Sequence, residues 1–164
     1  MKIAKKICLI GRFAVGKTSL VKQFVDNQFS EKYKTTVGVS ISTKKLKIDD
    51  IDLSLVIWDI AGFERDSHYK HYLRGVNGII WVLDGTEPES FEILEIIEKS
   101  LPEIKQIPAI CFVNKYDLVK KWKIGENEMQ QLHKSFSHIL KTSAKTGENV
   151  ETGFKQLAEM LIKK

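Results

Sequence analysis

Residues 11–18 read Gly11-Arg12-Phe13-Ala14-Val15-Gly16-Lys17-Thr18, which is a complete G-x-x-x-x-G-K-[ST] pattern. An apolar run at residues 7–10 precedes this stretch, and a helix-compatible segment at residues 17–26 follows it. Glycines in such a loop let backbone N–H groups converge on phosphate oxygens, and the positive end of the following helix dipole points to the same place. The stretch therefore predicts a phosphate-binding loop between a strand and a helix.

The chemistry expected of this loop depends on its last pair of residues. Lys17 would neutralise the β- and γ-phosphates of a nucleotide, and the hydroxyl of Thr18 would ligate Mg²⁺. A glycine-bounded turn with a surface lysine is the simpler alternative. We favour the phosphate-binding loop because the segments on both sides have the required pattern.

A second segment indicates which base the nucleotide carries. It reads Asn114-Lys115-Tyr116-Asp117 and begins where the apolar run at residues 109–113 ends, at the kind of strand end where ligands bind. The Asp117 carboxylate can accept hydrogen bonds from both the ring N–H and the exocyclic amino group of guanine, whereas adenine offers no such pair of donors. Residues 142–145 follow the last predicted strand and would bring a backbone N–H to the guanine carbonyl oxygen. The pattern predicts a guanine nucleotide.

The rest of the chain alternates short apolar runs with amphipathic stretches, which is typical of an α/β fold with a mainly parallel sheet. Residues 78–83 and 109–113 are continuously apolar, as strands covered on both faces should be. Residues 39–48 alternate and residues 53–57 return after a turn, so we expect a hairpin at a sheet edge. Further helices are predicted after a capping box formed by Thr86 and Glu89, around residues 126–134, and after an N-cap at Asn149.

Length and composition limit the remaining possibilities. The chain has 164 residues and a mass of 18.8 kDa, so we expect residues 1–164 to form a single domain. The net charge of +5 is compatible with nucleic acid or an anionic membrane, but the lysines are scattered and no aromatic platform accompanies them, so we expect no nucleic-acid partner. No apolar run approaches the length of a membrane helix. Cys8 and Cys111 lie in apolar runs, which favours buried reduced thiols and a soluble cytoplasmic protein.

From residue 3 to residue 162 the sequence resembles a small GTPase of the Ras superfamily, and within it the Rab-like branch. The resemblance depends on motifs in a fixed order. They are the loop at residues 11–18, Thr36-Val37-Gly38 after Tyr33, Trp58-Asp59-Ile60-Ala61-Gly62 followed by Glu64-Arg65, then residues 114–117 and residues 143–145.

The resemblance implies a P-loop NTPase G domain with a six-stranded, mostly parallel sheet, one antiparallel edge hairpin and about five helices, acting as a molecular switch on GTP, GDP and Mg²⁺. Thr18, Thr36 and Asp59 would be the metal residues, and Gly62 would sense the γ-phosphate. Phe29 would pack edge-on against the guanine, and the aliphatic stem of Lys115 would cover the other face of the guanine. The expected nucleotide contacts are Gly11, Arg12, Phe13, Ala14, Val15, Gly16, Lys17, Thr18, Ser19, Phe29, Tyr33, Thr36, Gly62, Asn114, Lys115, Asp117, Ser143, Ala144 and Lys145.

The sequence departs from the family pattern at the catalytic positions. Phe63 stands directly after the Asp-x-Ala-Gly element, where the family usually has a glutamine that orients the attacking water. Phe13 and Ala14 stand where the family usually has small residues including a glycine. We therefore expect slow hydrolysis. Arg12, Arg65 and His68 are candidates for another group that orients the water or supplies positive charge.

Partners of such a switch would be effector and regulatory proteins that bind residues 30–40 and 62–76, whose aromatic residues are Tyr33, Phe63, Tyr69 and Tyr72. The alternative for the tyrosines is packing beneath the switch helix. We expect a monomer. No cysteine follows Cys111, so the prenylated tail of trafficking GTPases is absent from the sequence, through lack of lipidation, trimming or descent from a soluble relative.

Other functions remain open from the sequence alone. One alternative is a binding module that holds GTP or GDP and scarcely hydrolyses it, which Phe63 favours. The other is a P-loop kinase, against which the segment at residues 114–117 and the edge hairpin argue.

Overall fold

The computed structural model describes residues 1–30, 38–62 and 69–163. The strands that it contains are β1 (Lys2–Ile10), β2 (Val39–Ile48), β3 (Ile51–Ile60), β4 (Gly78–Asp84), β5 (Ala109–Asn114) and β6 (Ile139–Lys141). The α-helices are α1 (Lys17–Asp26), α2 (Tyr69–Tyr72), α3 (Glu92–Ser100), α4 (Glu126–Ser135) and α5 (Val150–Ile162). Short 3-10 turns lie at Pro88–Phe91, Pro102–Gln106 and Val119–Lys121.

The strands form one six-stranded sheet in the order β2-β3-β1-β4-β5-β6. All neighbouring strands are parallel except β2 and β3, which pair antiparallel from Val39 opposite Ile60 to Ile48 opposite Ile51. The turn between them places Asp49 in the left-handed region with a φ of 53°. The predicted fold class and the predicted edge hairpin are both confirmed.

β1 and β3 are longer than the apolar runs that predict them. β1 begins at Lys2, and its polar first half pairs with β3 from Lys2 opposite Asp52 onward. Only the apolar residues of these segments carry a strand signal in the sequence. A strand that is solvated on one face alternates polar and apolar residues and extends beyond such a run.

Hydrophobic layers cover both sides of the sheet. On one side α1 and α5 pack through Phe24 and Phe154, whose rings stack with centroids 4.2 Å apart. On the other side α3 and α4 contribute Ile93, Ile97 and Leu132. The central strands β4 and β5 are therefore covered on both faces, and the carboxyl ends of the parallel strands are the edge left for a site.

The cysteines lie in this core as free thiols, as the sequence predicts. Burial raises the pKa of the Cys8 thiol to about 12 and raises that of Cys111 further still. Both therefore remain protonated and act as small apolar side chains.

The predicted helix caps were wrong in detail. The amide and hydroxyl of Thr86 both donate to the Asp84 Oδ1, at 2.8 and 2.7 Å, so Thr86 makes no capping box and a 3-10 turn follows instead. Asn149 is the N-cap residue of α5, but its side chain donates to the carbonyl of Lys141 at 2.9 Å. In both places the side chain that was expected to cap a helix is instead hydrogen-bonded to a residue at the end of a strand.

In the described part of the chain, no helix is long and apolar enough to cross a membrane.

Gly153 lies within α5, where glycine normally costs about 1 kcal/mol relative to alanine. Here a Cβ would lie 2.3 Å from the ring of Phe112, so the helix can approach β5 only without a side chain. We expect Gly153→Ala to lower the free energy of unfolding, because the crowding cost of about 1–3 kcal/mol exceeds the gain in helix propensity. Urea denaturation followed by circular dichroism measures the change.

The matched control is Thr152→Ala at the preceding, exposed position of α5, which we expect to change stability by less than about 0.5 kcal/mol. A Gly153→Ala protein as stable as the unsubstituted one would contradict the close helix–strand contact.

Candidate functional site

A cavity of about 350 Å³ lies at the carboxyl end of the parallel strands. The loops after β1, β3, β5 and β6 all contribute to its wall, as expected for an α/β sheet. Its lining residues are Phe13, Ala14, Gly16, Lys17, Thr18, Ser19, Lys22, Gln28, Phe29, Ser30, Gly62, Asn114, Lys115, Asp117, Leu118, Ala144 and Lys145. Most of the residues predicted from the sequence are thus brought together around one space.

The glycines of the phosphate-binding loop (residues 11–18) are required by close contacts. A Cβ at Gly11 would lie 2.5 Å from the carbonyl oxygen of Val82, so the loop lies against β4. Gly16 has a φ of 104°, and a Cβ there would lie 2.3 Å from the side-chain nitrogen of Asn114. Ala14 also lies in the left-handed region, with a φ of 65°, which costs an alanine about 1 kcal/mol.

Lys17 is the buried cation of the site. Its side chain is only 6% exposed, and its ammonium donates to the carbonyls of Gly11 at 3.0 Å and Arg12 at 3.2 Å. Desolvation lowers the pKa of Lys17 to about 8, and the nearby Asp59 carboxylate opposes this shift. The loop therefore holds a positive charge that gains from any anion placed against it.

Oxygen ligands suited to a hard cation meet beside the lysine. The hydroxyl of Thr18, at the start of α1, donates to the Asp59 Oδ2 at 2.5 Å and so links this helix to β3. Asp59 is itself buried. Thr36, the third residue predicted to hold the metal, lies outside the described residues.

Hydrogen bonds join the predicted base-binding segment to the phosphate-binding loop. The Asn114 side chain donates to the carbonyl of Val15 at 2.9 Å and accepts from the Thr142 hydroxyl at 3.0 Å. The Ser143 hydroxyl donates to the Asp117 Oδ1 at 2.8 Å. These bonds hold the loops after β1, β5 and β6 in one arrangement and orient the Asp117 carboxylate.

The ion-pair partner of Lys115 was not predicted from the sequence. Its ammonium lies 2.8 Å from the Asp84 Oδ2, and Asp84 is only 1% exposed. Lys115 has a φ of 72°, so the backbone turns sharply at the point where the side chain passes the cavity. The available signal was a lone aspartate at the end of an otherwise apolar strand, directly opposite Asn114 in the sheet register.

Trp122 supports this corner of the site. Its ring packs against the backbone of Gly85 so closely that a Cβ at that glycine would lie 2.0 Å from the ring. It also contacts Tyr116 edge-on, with centroids 5.0 Å apart, and its indole nitrogen donates to the carbonyl of Ile124 at 3.1 Å. Trp122 is therefore part of the packing behind residues 114–117.

The other wall of the cavity is apolar. Phe29 is 38% exposed and lines the cavity, as expected for a residue beside the base. Phe13 is 54% exposed, and a Cβ at Gly62 would lie 2.6 Å from the Phe13 Cα, so the two backbones touch. The guanidinium of Arg12 donates to the carbonyl of Glu89 at 2.9 Å, outside the cavity lining.

The remaining candidates at the γ-phosphate side lie outside the described residues. They are Tyr33, Phe63, Arg65 and His68.

Tyr69 and Tyr72 are the described aromatics among those expected to face partners. Tyr69 is 6% exposed and its hydroxyl is hydrogen-bonded to Ser100, so for Tyr69 the alternative of packing beneath the helix is confirmed. Tyr72 is half-buried and lies against Trp58, with ring centroids 6.3 Å apart.

The sheet order, the loop at residues 11–18 and the linked segment at residues 114–117 define a P-loop nucleotide-binding protein. The sequence model described as the Ras family matches residues 6–163. The chain belongs to the Ras family, and its relatives place it with the Rab-like small GTPases.

Several of these relatives are Rab proteins. The mouse (Mus musculus) Ras-related protein Rab-7b is 37% identical over 168 residues, covering 98% of this chain and 84% of that protein. A Rab-7b of Paramecium octaurelia is 34% identical over 163 residues, covering 94% and 79%. A Rab-1 of Theileria parva is 37% identical over 163 residues, covering 95% and 73%. The family implies that this protein binds GTP and GDP.

The burial of Lys17 predicts a pH dependence of GDP binding. Phosphate oxygens favour the charged ammonium, so binding raises a pKa that is about 8 in the free protein. Above that pKa binding must take up a proton, and the affinity should fall by up to about tenfold per pH unit; below it, Lys17 should cause no change. Isothermal titration calorimetry in buffers of different ionisation enthalpy measures the proton uptake.

The control is Lys22→Gln, which removes another lysine from the cavity lining and leaves Lys17 in place. It should weaken binding by a similar factor at every pH. An affinity for GDP that stays level as the pH passes through 8, without proton uptake, would show that Lys17 does not titrate there.

Proposed function

We propose that this protein is a guanine-nucleotide-dependent molecular switch that binds GTP or GDP with Mg²⁺ and hydrolyses GTP slowly. The observation that carries the proposal is the hydrogen bond from Asn114 to Val15, because it brings the guanine-selecting segment and the phosphate-binding loop to one cavity. A nucleotide would span these elements, with its phosphates at Lys17 and its base at Asp117.

The residues beside Lys17 fit a magnesium ion. Mg²⁺ prefers oxygen ligands, and the Thr18 hydroxyl and the Asp59 carboxylate supply them at one point. Among the described residues no group of three or more His, Cys, Asp or Glu side chains could hold a metal by itself. The ion would therefore depend on nucleotide phosphates for its other ligands, and when bound it would neutralise charge on the β- and γ-phosphates.

Slow hydrolysis follows from the side chains at the γ-phosphate side. Attack of water on the γ-phosphorus forms one P–O bond and breaks the bond between the γ-phosphorus and the oxygen that bridges it to GDP. The rate of hydrolysis depends on how the attacking water is oriented. Phe63, at the family's glutamine position, has no group to hold it. Phe13 adds an exposed ring beside Gly62, where a partner's arginine would otherwise enter.

The second candidate function is a GTP- or GDP-binding module with no useful hydrolysis. The placement of Arg12 favours it, because that guanidinium is engaged with the carbonyl of Glu89 and is not directed at the cavity. In that case nucleotide binding would serve stability or partner recognition alone.

We propose in addition that residues 1–164 form a single G domain that acts as a monomer. Effectors and regulators would bind at residues 30–40 and 62–76. Beside these segments, Ile41 of β2 is 52% exposed and lies opposite Trp58 in the sheet. Trp58 in turn contacts Tyr72. These apolar side chains give a partner something to bury.

Nucleotide extracted from the purified protein tests the base, and timed conversion of bound GTP tests the chemistry. We expect guanine nucleotides, and Asp117→Ala should lose them because the donors of the guanine edge are left without an acceptor. Adenine nucleotides in the extract would instead support a P-loop kinase. Chromatography of the released nucleotide distinguishes these results.

Phe63→Gln should raise the single-turnover rate of GTP hydrolysis by roughly tenfold or more, because the amide can orient the attacking water. Combining it with Phe13→Gly should raise the rate further by opening the γ-phosphate side. Both variants should bind GDP as tightly as the unsubstituted protein. An unsubstituted rate already as fast as that of Phe63→Gln would refute slow hydrolysis, and no conversion in any variant would favour the binding module.

A further inference from the structure

A lysine-rich surface lies at the end of the sheet away from the nucleotide cavity. Lys2 and Lys6 of β1 and Lys45 and Lys47 of β2 point to the same face, because β3 lies between the two strands and the register aligns them. Lys2 and Lys47 flank Asp52, Lys45 is opposite Ser54, and Lys6 is opposite Val56. We call these four side chains and the β3 residues between them the lysine face.

No helix of the described chain covers this face. On the opposite face of the same strands, by contrast, Ile7, Leu53 and Leu55 are buried, with at most 1% of their surface exposed. On the lysine face, Lys2, Lys45, Lys47 and Asp52 are all exposed. The short helix α2 lies only over the far end, where Tyr72 packs on Trp58.

The charge of the lysine face is mostly uncompensated. Asp52 is the one acidic residue in these rows of the described sheet, against four lysines. None of those lysines belongs to an ion pair within the described ranges. Lys6 lies 3.6 Å above the Trp58 ring and donates to the carbonyl of Arg74, so its charge is held in place at the surface.

We propose that the lysine face binds an acidic polypeptide segment of a partner protein. Lys45 and Lys47 are two residues apart on an exposed strand, so their side chains repeat about every 6.4–6.8 Å. An extended peptide presents alternate side chains at the same interval, and can set its carboxylates against the lysines. The half-buried Val56 and the neighbouring Trp58 lie further along the same face, where they offer apolar contact to residues that follow the acidic stretch of the peptide.

A polypeptide fits this surface better than the other anionic partners. Stable binding to a lipid bilayer combines a basic patch with an inserted apolar anchor, and the tryptophan of this face is half-buried beneath Lys6. Nucleic-acid recognition uses arginines and stacking aromatics, and every cation of the face is a lysine. The proposal does not depend on whether the protein hydrolyses GTP, because no residue of the face lines the nucleotide cavity.

The test uses a short synthetic peptide in which glutamate alternates with valine, added to the GDP-bound full chain. We expect binding by fluorescence anisotropy, with amide NMR shifts confined to β1, β2 and β3. The double variant Lys45→Glu/Lys47→Glu should weaken binding roughly tenfold or more, and added salt should weaken it for the unsubstituted protein.

The matched control is Lys120→Glu/Lys121→Glu, which makes the same change of charge at an exposed turn outside the face. If both double variants weakened peptide binding equally, the binding would depend only on the net charge of the protein, and the proposal would be overturned. So would NMR shifts elsewhere, absence of peptide binding, or tighter binding to phosphatidylserine vesicles or single-stranded RNA than to the peptide. GDP dissociation should be unchanged in both variants, which confirms that they fold.

Discussion

The hydrogen bond from the Asn114 side chain to the Val15 carbonyl is the contact on which the site depends. It can form only because Gly16 has no Cβ, since one would lie 2.3 Å from the same nitrogen. The Thr142 hydroxyl then holds the other side of the Asn114 amide. A single buried side chain thus joins the ends of β1, β5 and β6, and its amide is satisfied on both sides, as a buried polar group must be.

This constraint explains why Lys17 can be buried at all. The loop held by Asn114 turns the carbonyls of Gly11 and Arg12 towards the ammonium, and they replace part of its hydration. They do not replace all of it, because burial still lowers the pKa of Lys17 to about 8. The loop is therefore arranged for an anion before one arrives, and an anion placed against the ammonium would offset the cost of holding the charge.

Much of this could be predicted from the sequence because the signals are local. The loop at residues 11–18 and the segment at residues 114–117 carry fixed spacings, and the apolar runs of β4 and β5 locate the central strands. The Asp84–Lys115 pair could not be predicted, because it depends on the register of β4 against β5. The cap at Asn149 failed for a similar reason, since its side chain binds the carbonyl of Lys141 at the end of β6. At Thr86 the competing partner is local, because the Asp84 carboxylate two residues earlier accepts its hydrogen bonds.

The sheet also separates the positive charges of the chain into different roles. Lys17 lies at the carboxyl end of the parallel strands and is buried, whereas Lys2, Lys45 and Lys47 lie towards the opposite end of the sheet and are exposed. The sequence shows them only as a net charge of +5. A buried lysine is costly unless an anion binds it, and an exposed one costs little, so the same residue type is arranged for an anion in one place and forms a weak, salt-sensitive surface in the other.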